Sequence, residues 1–166
     1  MIIPVKDCGT IRKLCKDKVL VATAGTFDLL HVGHVTHLEH CRKFGDCLVV
    51  LMSSDARVRQ KKGLNRPIIS QDQRAKMLDS LKIVDFVVIG FDPQPDTVAN
   101  RTVGNLAILE IIRPKVFIVQ NPAWEQDREK LKSWGIQLRI EAEPTRLNAT
   151  TKIIRAVLTR YRNRRD

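Results

Sequence analysis

Short apolar runs alternate along the chain with stretches in which apolar residues recur every three or four positions. The runs predict strands over 19–24, 47–52, 86–90, 116–119 and 136–140. Cys47-Leu48-Val49-Val50-Leu51-Met52 has no polar position at all, as expected of a strand covered on both faces of a parallel sheet. Between the runs the helical period takes over. It predicts a helix over 7–17 with Ile11, Leu14 and Cys15 inward, and one over 34–44 with Val35, Leu38 and Cys41 inward, closed by Gly45. Ser70 with Gln73 reads as a capping box, opening a helix whose apolar side carries Ala75, Met77, Leu78 and Leu81. Further helices are predicted over 103–113, stopped by Pro114, and over 125–134, with Leu131 and Trp134 inward and Gly135 as the stop. A last helix starts near Thr150. The segments 57–66 and 91–102 read as loops, the first basic and mobile, the second broken by two prolines. Strand–helix alternation predicts an α/β fold: one Rossmann-like domain, a five-stranded parallel sheet with helices on both faces and right-handed crossovers.

Composition adds little to that picture until charge is counted. The 166 residues are 43% hydrophobic and 28% charged, enough for one domain with a real core. No apolar stretch approaches a membrane span and Met1-Ile2-Ile3-Pro4 lacks the layout of a signal peptide, so a cytoplasmic protein is expected. Cys8, Cys15, Cys41 and Cys47 form no CxxC pair or zinc-like spacing and read as reduced thiols. The net charge of +11 does change the picture. Arg57, Arg59, Lys61 and Lys62 cluster in one place, and Arg155, Arg160, Arg162, Arg164 and Arg165 run into a basic tail over 159–166. Such surfaces suit polyanions.

Candidate chemistry concentrates in Gly25-Thr26-Phe27-Asp28-Leu29-Leu30-His31-Val32-Gly33-His34, placed between the first strand and the helix that follows. A strand, a glycine turn and a helix N-terminus make an anion site, because the first-turn N–H groups are free and the helix dipole favours negative charge there. All four histidines lie at 31, 34, 37 and 40. A period of three drifts around a helix, so His37 and His40 are read as helix-surface residues and His31 and His34 as the functional pair. A metal set is not favoured, because no cysteine or carboxylate completes it. Asp55 is read as a plain helix cap.

Gly25-Thr26-Phe27-Asp28 followed by His31-Val32-Gly33-His34 resembles the signature of the cytidylyltransferase-like nucleotidyltransferases. The group includes glycerol-phosphate cytidylyltransferase, heptose-phosphate adenylyltransferase and archaeal FAD synthase. The likeness continues through Gly45-Asp46, Ser53-Ser54-Asp55, Lys62-Gly63, Arg66-Pro67, Arg74, Val84-Asp85 and Thr150-Thr151-Lys152-Ile153-Ile154. It implies a single nucleotidyltransferase domain over 1–166 that joins an NTP, CTP or ATP, to a small phosphorylated acceptor and releases pyrophosphate. A sugar or polyol phosphate is the expected acceptor, FMN the alternative. A non-catalytic nucleotide or RNA binder is a reading from another class, although nucleic acid is not the expected partner. By the same resemblance His31, His34 and Lys62 are catalytic. Gly25, Thr26, Phe27, Gly33, Gln120, Asn121, Arg146, Asn148, Thr150 and Thr151 join the histidines in holding the nucleotide, while Asp28, Lys62 and Arg66 face the acceptor. Magnesium is expected on the phosphates rather than on protein ligands, a homodimer is expected, and no membrane partner is. Arg66 and Arg74 read equally as phosphate contacts or ion-pair partners. Two departures stand out: ahead of the paired threonines the family's arginine is matched only by Arg146 at a shifted position and its serine is Ala149, and Gln120-Asn121-Pro122 replaces a Gly-Gly-Asp stretch of the heptose-phosphate branch.

Overall fold

The structure, a computed structural model, describes residues 1–92, 103–141 and 150–162. Its strands are β1 (Ile2–Ile3), β2 (Leu20–Gly25), β3 (Cys47–Met52), β4 (Phe86–Ile89), β5 (Val116–Val119) and β6 (Gln137–Ile140). Its helices are α1 (Thr10–Leu14), α2 (Val32–Arg42), α3 (Asp55–Lys62), α4 (Gln71–Asp79), α5 (Val103–Ile112), α6 (Arg128–Ser133) and α7 (Thr150–Arg162). All strand pairs are parallel, in the order β1-β4-β3-β2-β5-β6. The five expected strands are present, and a sixth, β1, pairs with β4 at the edge. Two residues before Pro4 are too few to show any period, so pairing with Val87 and Val88 alone makes them a strand.

Alternate side chains of β3 feed two cores. Val49 and Leu51 pack with Ile11, Leu109, Phe117 and Leu131 on one face. Leu48, Val50 and Met52 pack with Leu38, Leu78 and Ile118 on the other. Every residue of β3 is buried, which is why its sequence is uniformly apolar.

Several expectations about local structure are corrected. The N-terminal helix is not continuous over 7–17: a 3-10 turn over Val5–Asp7 and the five-residue α1 flank Gly9, a poor helix former, and Leu14 points to solvent. The basic stretch is not a loop through 57–62, because Ser54 caps α3 by accepting from the Arg57 N–H and the Arg, Gln and Lys residues after it are good helix formers. Ser54, rather than Asp55, is therefore the cap; Asp55 pairs instead with Arg74. The expected helix over 125–134 divides into a 3-10 turn over Pro122–Asp127 and α6, and Met77 stands exposed on α4.

The thiols also differ from expectation. Cys15, just after α1, and Cys47, opening β3, form a disulfide across 32 residues, with Cα atoms 6.7 Å apart; a pairing made by the fold leaves no local spacing to read. Cys8 and Cys41 are free and buried. Among the described residues no helix is long and apolar enough to cross a membrane.

Candidate active site

The chain leaves β2 toward β3 and β4 on one side of the sheet, then crosses back to β5 and β6 on the other. Strand order thus reverses between β2 and β5, and in open parallel sheets the crevice beyond the strand ends at such a point receives ligands. Here a cavity of about 210 Å³ opens there. Ala24, Gly25 and Phe27 wall it from β2 and its turn, and Gln120 from the end of β5. His31, Gly33, His34 and His37 enter from α2, Lys62 and Arg66 from beyond β3, and Thr150 and Thr151 from the start of α7. Two helix N-termini far apart in sequence therefore face one crevice.

The turn after β2 is tightly built. Phe27 and Leu29 lie in the left-handed region, with φ of 53° and 47°. The Phe27 ring folds back against Gly25, where a Cβ would come within 2.8 Å of it, so only glycine fits. Its other side meets the His34 ring at 5.2 Å. Asp28, 1% exposed, accepts from the backbone N–H groups of Ile68 (3.0 Å) and Ile69 (3.3 Å) and from Arg66 Nε (2.7 Å). Burial would raise its pKa, but those donors and the Arg66 charge outweigh it and hold the carboxyl below the usual range. The Asp28 carbonyl accepts from Thr150 Oγ1 at 2.7 Å, which ties the start of α7 to the turn. Arg74 is wholly buried and donates to the carbonyls of Thr26 (2.6 Å), Ser53 (3.0 Å) and Ile69 (3.2 Å) and to Asp55 (2.6 Å). It is a structural bracket behind the crevice, not a phosphate contact. Arg66 pairs with Asp28 and also lines the crevice.

α2 begins at Val32 with His31 as its N-cap, so both histidines belong to the first helical turn. Their rings stack with centroids 3.8 Å apart at 21°. His34 Nδ1 is buried without a hydrogen-bond partner in the structure. Burial, followed by the neighbouring His31, His37 and Lys62 charges, pushes the His34 pKa down to about 3, so the ring is neutral at pH 7. Desolvation and then the Arg66 charge also lower the pKa of Lys62. The crevice thus crowds cations and helix N-termini, and an anion relieves both.

The expected nucleotide and acceptor residues divide into those that line the crevice and those that do not. Gly25, Phe27, His31, Gly33, His34, Lys62, Arg66, Gln120, Thr150 and Thr151 line it. The Thr26 carbonyl is engaged by Arg74, Asp28 is buried behind the turn, and Asn121 accepts from the Ala123 N–H as cap of the next 3-10 turn. Arg146 and Asn148 lie outside the described residues. His37 corrects the sequence reading. It is buried, bonded to Thr23 Oγ1 at 2.8 Å, and reaches the crevice. A threonine inside an otherwise apolar strand was the available signal, since its hydroxyl needs a partner. His40 is half-buried, its Nε2 2.5 Å from Glu141. Among the described residues no three His, Cys, Asp or Glu side chains could share a metal ion, and the one carboxylate at the turn, Asp28, is already saturated. Among the described residues, the side chains lining the crevice do not fit a resident metal.

Residues 22–157 match the family model described as cytidylyltransferase-like. The bifunctional protein HldE of Geobacter sulfurreducens is 40% identical over 148 residues, 87% of this chain and 28% of that protein. The HldE of Syntrophotalea carbinolica is 34% identical over 149 residues, 88% and 28% respectively. The chain thus spans under a third of the length of these relatives. Among solved structures, a lipopolysaccharide core biosynthesis protein from Thermoplasma volcanium aligns with a TM-score of 0.60 and 25% identity, covering 75% of this chain and 98% of that one. A pantoate-beta-alanine ligase from Francisella tularensis shares the fold at a TM-score of 0.58 and 16% identity, over 86% and 66%. With the crevice at the strand-order reversal and the family match over most of its length, the chain belongs to the cytidylyltransferase-like family of nucleotidyltransferases.

Proposed function

We propose that this domain transfers the nucleoside monophosphate of ATP to a sugar phosphate and releases pyrophosphate. The observation that carries the reading is the convergence of two helix N-termini, with His31 and His34 on one and Thr150 and Thr151 on the other, on one crevice. The resemblance to the heptose-phosphate adenylyltransferases supports this acceptor and base among the branches that the sequence resembles.

An acceptor phosphate is ionised at neutral pH, so one of its oxygens attacks the α-phosphorus without a strong general base. The bond from that phosphorus to the bridging oxygen of pyrophosphate breaks as the new one forms. The protein's task is to hold two repelling anions in line and to neutralise charge on the reacting phosphoryl group. Neutral His34 presents a ring N–H as donor, and His31, stacked on it, offers the second imidazole. The first-turn N–H groups of α2 and α7 receive the polyphosphate. Lys62 lines the crevice and takes the role of bridging both substrates' phosphates in this reading. Magnesium is proposed to arrive on the triphosphate, held by its oxygens.

The test is pyrophosphate release by the wild type, His31→Ala and His34→Ala, with ATP or CTP against heptose phosphate, glycerol phosphate and FMN. Loss of a donor to the reacting phosphate lowers kcat by about 10²–10³-fold. Near-normal turnover in both variants defeats the mechanism. Turnover confined to CTP or to FMN keeps the chemistry and replaces the substrate.

A further inference from the structure

Basic residues also gather at the end of the sheet opposite the crevice. The strand starts set the place. The Lys115 N–H donates to the Leu20 carbonyl at 2.8 Å and the Gln137 N–H to the Lys115 carbonyl at 3.0 Å, so β2, β5 and β6 begin side by side. Ile11 and Ile112 share one core, which lays α1 and α5 on the same face of the sheet. Beyond the carboxyl ends of these two helices lies a hollow of about 750 Å³, against about 210 Å³ for the crevice. Arg12, Lys16 and Lys18 line it from α1 and the turn that follows, and Arg113 and Lys115 line it from the link between α5 and β5. None of its lining residues is acidic.

Helix ends alone do not explain this charge. Cations stabilise the carboxyl end of a helix, but each end carries only about half a negative charge, so two ends offset roughly one of the five cations. Asp46, whose carboxylate accepts from the Val19 N–H at 3.1 Å, and Asp17, between Lys16 and Lys18 in sequence, still leave a surplus of about +2. Arg113 donates through Nε to the Glu110 carbonyl at 3.0 Å. Among the described residues, Arg12, Lys16, Lys18 and Lys115 form no ion pair. The floor decides which anion suits them. Leu20, Ile112 and Val116 are only 7%, 1% and 5% exposed, so little apolar surface is on offer. The one aromatic ring in the lining, Phe44, packs against the core and carries the Arg139 guanidinium at 4.5 Å. Single-stranded nucleic acid binds by stacking its bases on open aromatic faces, which this hollow does not offer. A compact anion with several charges needs no such platform and meets cations from both walls.

We propose that this hollow is a second anion site, which takes an oligophosphate either free or as the tail of a nucleoside polyphosphate. Arg12, Lys16 and Lys18 hold it from one side, Arg113 and Lys115 from the other. No residue lines both this hollow and the crevice. β2 runs between them, with Leu20 at the hollow and Gly25 at the crevice, about 17 Å apart at ~3.3 Å per residue. Backbone amides therefore report on the two sites separately.

The experiment is amide NMR of the full chain, titrated with tripolyphosphate, ATP, adenosine, sulfate and a short single-stranded RNA at about 0.15 M salt, where diffuse surface attraction is largely screened. It is run on the wild type, on His34→Ala, and on the double variants Lys16→Gln/Lys115→Gln and Lys18→Gln/Arg113→Gln, whose fold is checked by their own spectra. Tripolyphosphate is expected to shift the amides of Lys16 to Leu20 and of Lys115 and Val116, with a Kd at least tenfold below that of sulfate. Each folded double variant should bind at least tenfold more weakly at these amides, and His34→Ala should bind there as the wild type does. ATP equal to tripolyphosphate identifies the phosphate chain as the ligand, and tighter ATP with adenosine silent identifies a nucleoside polyphosphate; both uphold the proposal. It is overturned by silence of these amides in the wild type, by sulfate binding as tightly, or by undiminished binding in both double variants. Shifts that vanish in His34→Ala overturn it too, as an echo of the crevice, and so do adenosine binding or RNA binding tenfold tighter than tripolyphosphate. None of these readouts depends on nucleotidyl transfer, so failure here leaves the proposed activity intact.

Discussion

Asp28→Ala probes a residue that joins three segments of this fold. Its carboxylate, 1% exposed, holds Arg66 through Nε and Nη2, both at 2.7 Å, and receives the N–H groups of Ile68 and Ile69. Truncation leaves a guanidinium only 13% exposed without its counter-ion, and two backbone donors without their acceptor. Breaking one side of a buried, hydrogen-bonded ion pair costs about 3–5 kcal/mol. In a domain of this size each kcal/mol moves Tm by roughly 2–4 °C, so a fall of ~6–20 °C is expected. Asp28→Asn keeps an acceptor for the backbone but loses the charge, and should fall by about 1.5–3 kcal/mol. Adding Arg66→Met to Asp28→Ala should recover part of the loss, because the stranded charge is then gone. The acid limb gives an independent check. A carboxyl whose folded pKa is depressed contributes stability that is complete above its unfolded value and is lost as pH falls through the folded one. The wild type should therefore lose stability more steeply below about pH 4 than Asp28→Asn. Thermal melts and urea titrations from pH 2.5 to 7 measure both effects. An Asp28→Ala protein melting within about 2 °C of the wild type would refute the network as described.

Three further outcomes are expected. Gly25→Ala should cost about 1–3 kcal/mol in urea unfolding, because its Cβ meets the buried Phe27 ring at 2.8 Å and that ring also contacts His34; an unchanged midpoint contradicts the close approach. His34 titrates near pH 3 when folded and near 6.5 when unfolded, so the unfolded chain binds the extra proton between those values and stability rises with pH. From pH 7 to pH 5 the wild type should lose about 2 kcal/mol from this group, and His34→Gln should lose correspondingly less, as measured by urea midpoints at each pH. Lys62→Met, exposed at the end of α3, should leave Tm nearly unchanged while raising the Kd for ATP about tenfold in an equilibrium titration; unaltered affinity removes Lys62 from the nucleotide site.

The strands were readable because burial on both faces of β3 and β5 leaves no room for polar residues, and that demand shows directly in the sequence. The crevice was readable for a related reason: a glycine packed under Phe27 and two first-turn histidines have few substitutes. What stayed hidden depends on contacts between distant segments. α3 carries a single buried residue, Val58, and therefore no apolar stripe; it is set by the Ser54 cap and the Arg74–Asp55 pair. Cys15 and Cys47 are 32 residues apart and meet only once α1 lies by the start of β3. His37 failed the rotation argument because α2 is enclosed on two sides, its start by the crevice and its middle by Thr23 and the sheet. Arg74 could not be assigned because a buried arginine and a phosphate-binding one look alike in sequence. The four protein acceptors around it decide the matter.

The same connections commit the turn's acidic residue to structure. Asp28 faces away from the crevice, its carboxylate committed to the segment from Arg66 to Ile69 and its carbonyl to Thr150. It fixes the relative position of three pieces of chain, two of which supply crevice residues. The positive side of the site is left under-compensated: His34 is kept neutral, and burial followed by the Arg66 charge lowers the pKa of Lys62. On the proposed reading, a polyphosphate entering this environment raises both pKa values. Interactions of this kind grow with the charge that they face, so they act most strongly on the phosphoryl group when its charge is greatest. Rigidity behind the crevice and electrostatic strain within it are therefore one arrangement. The buried pairs hold Arg66 beside the crevice that Lys62 also lines, where the proposed ligand is an anion.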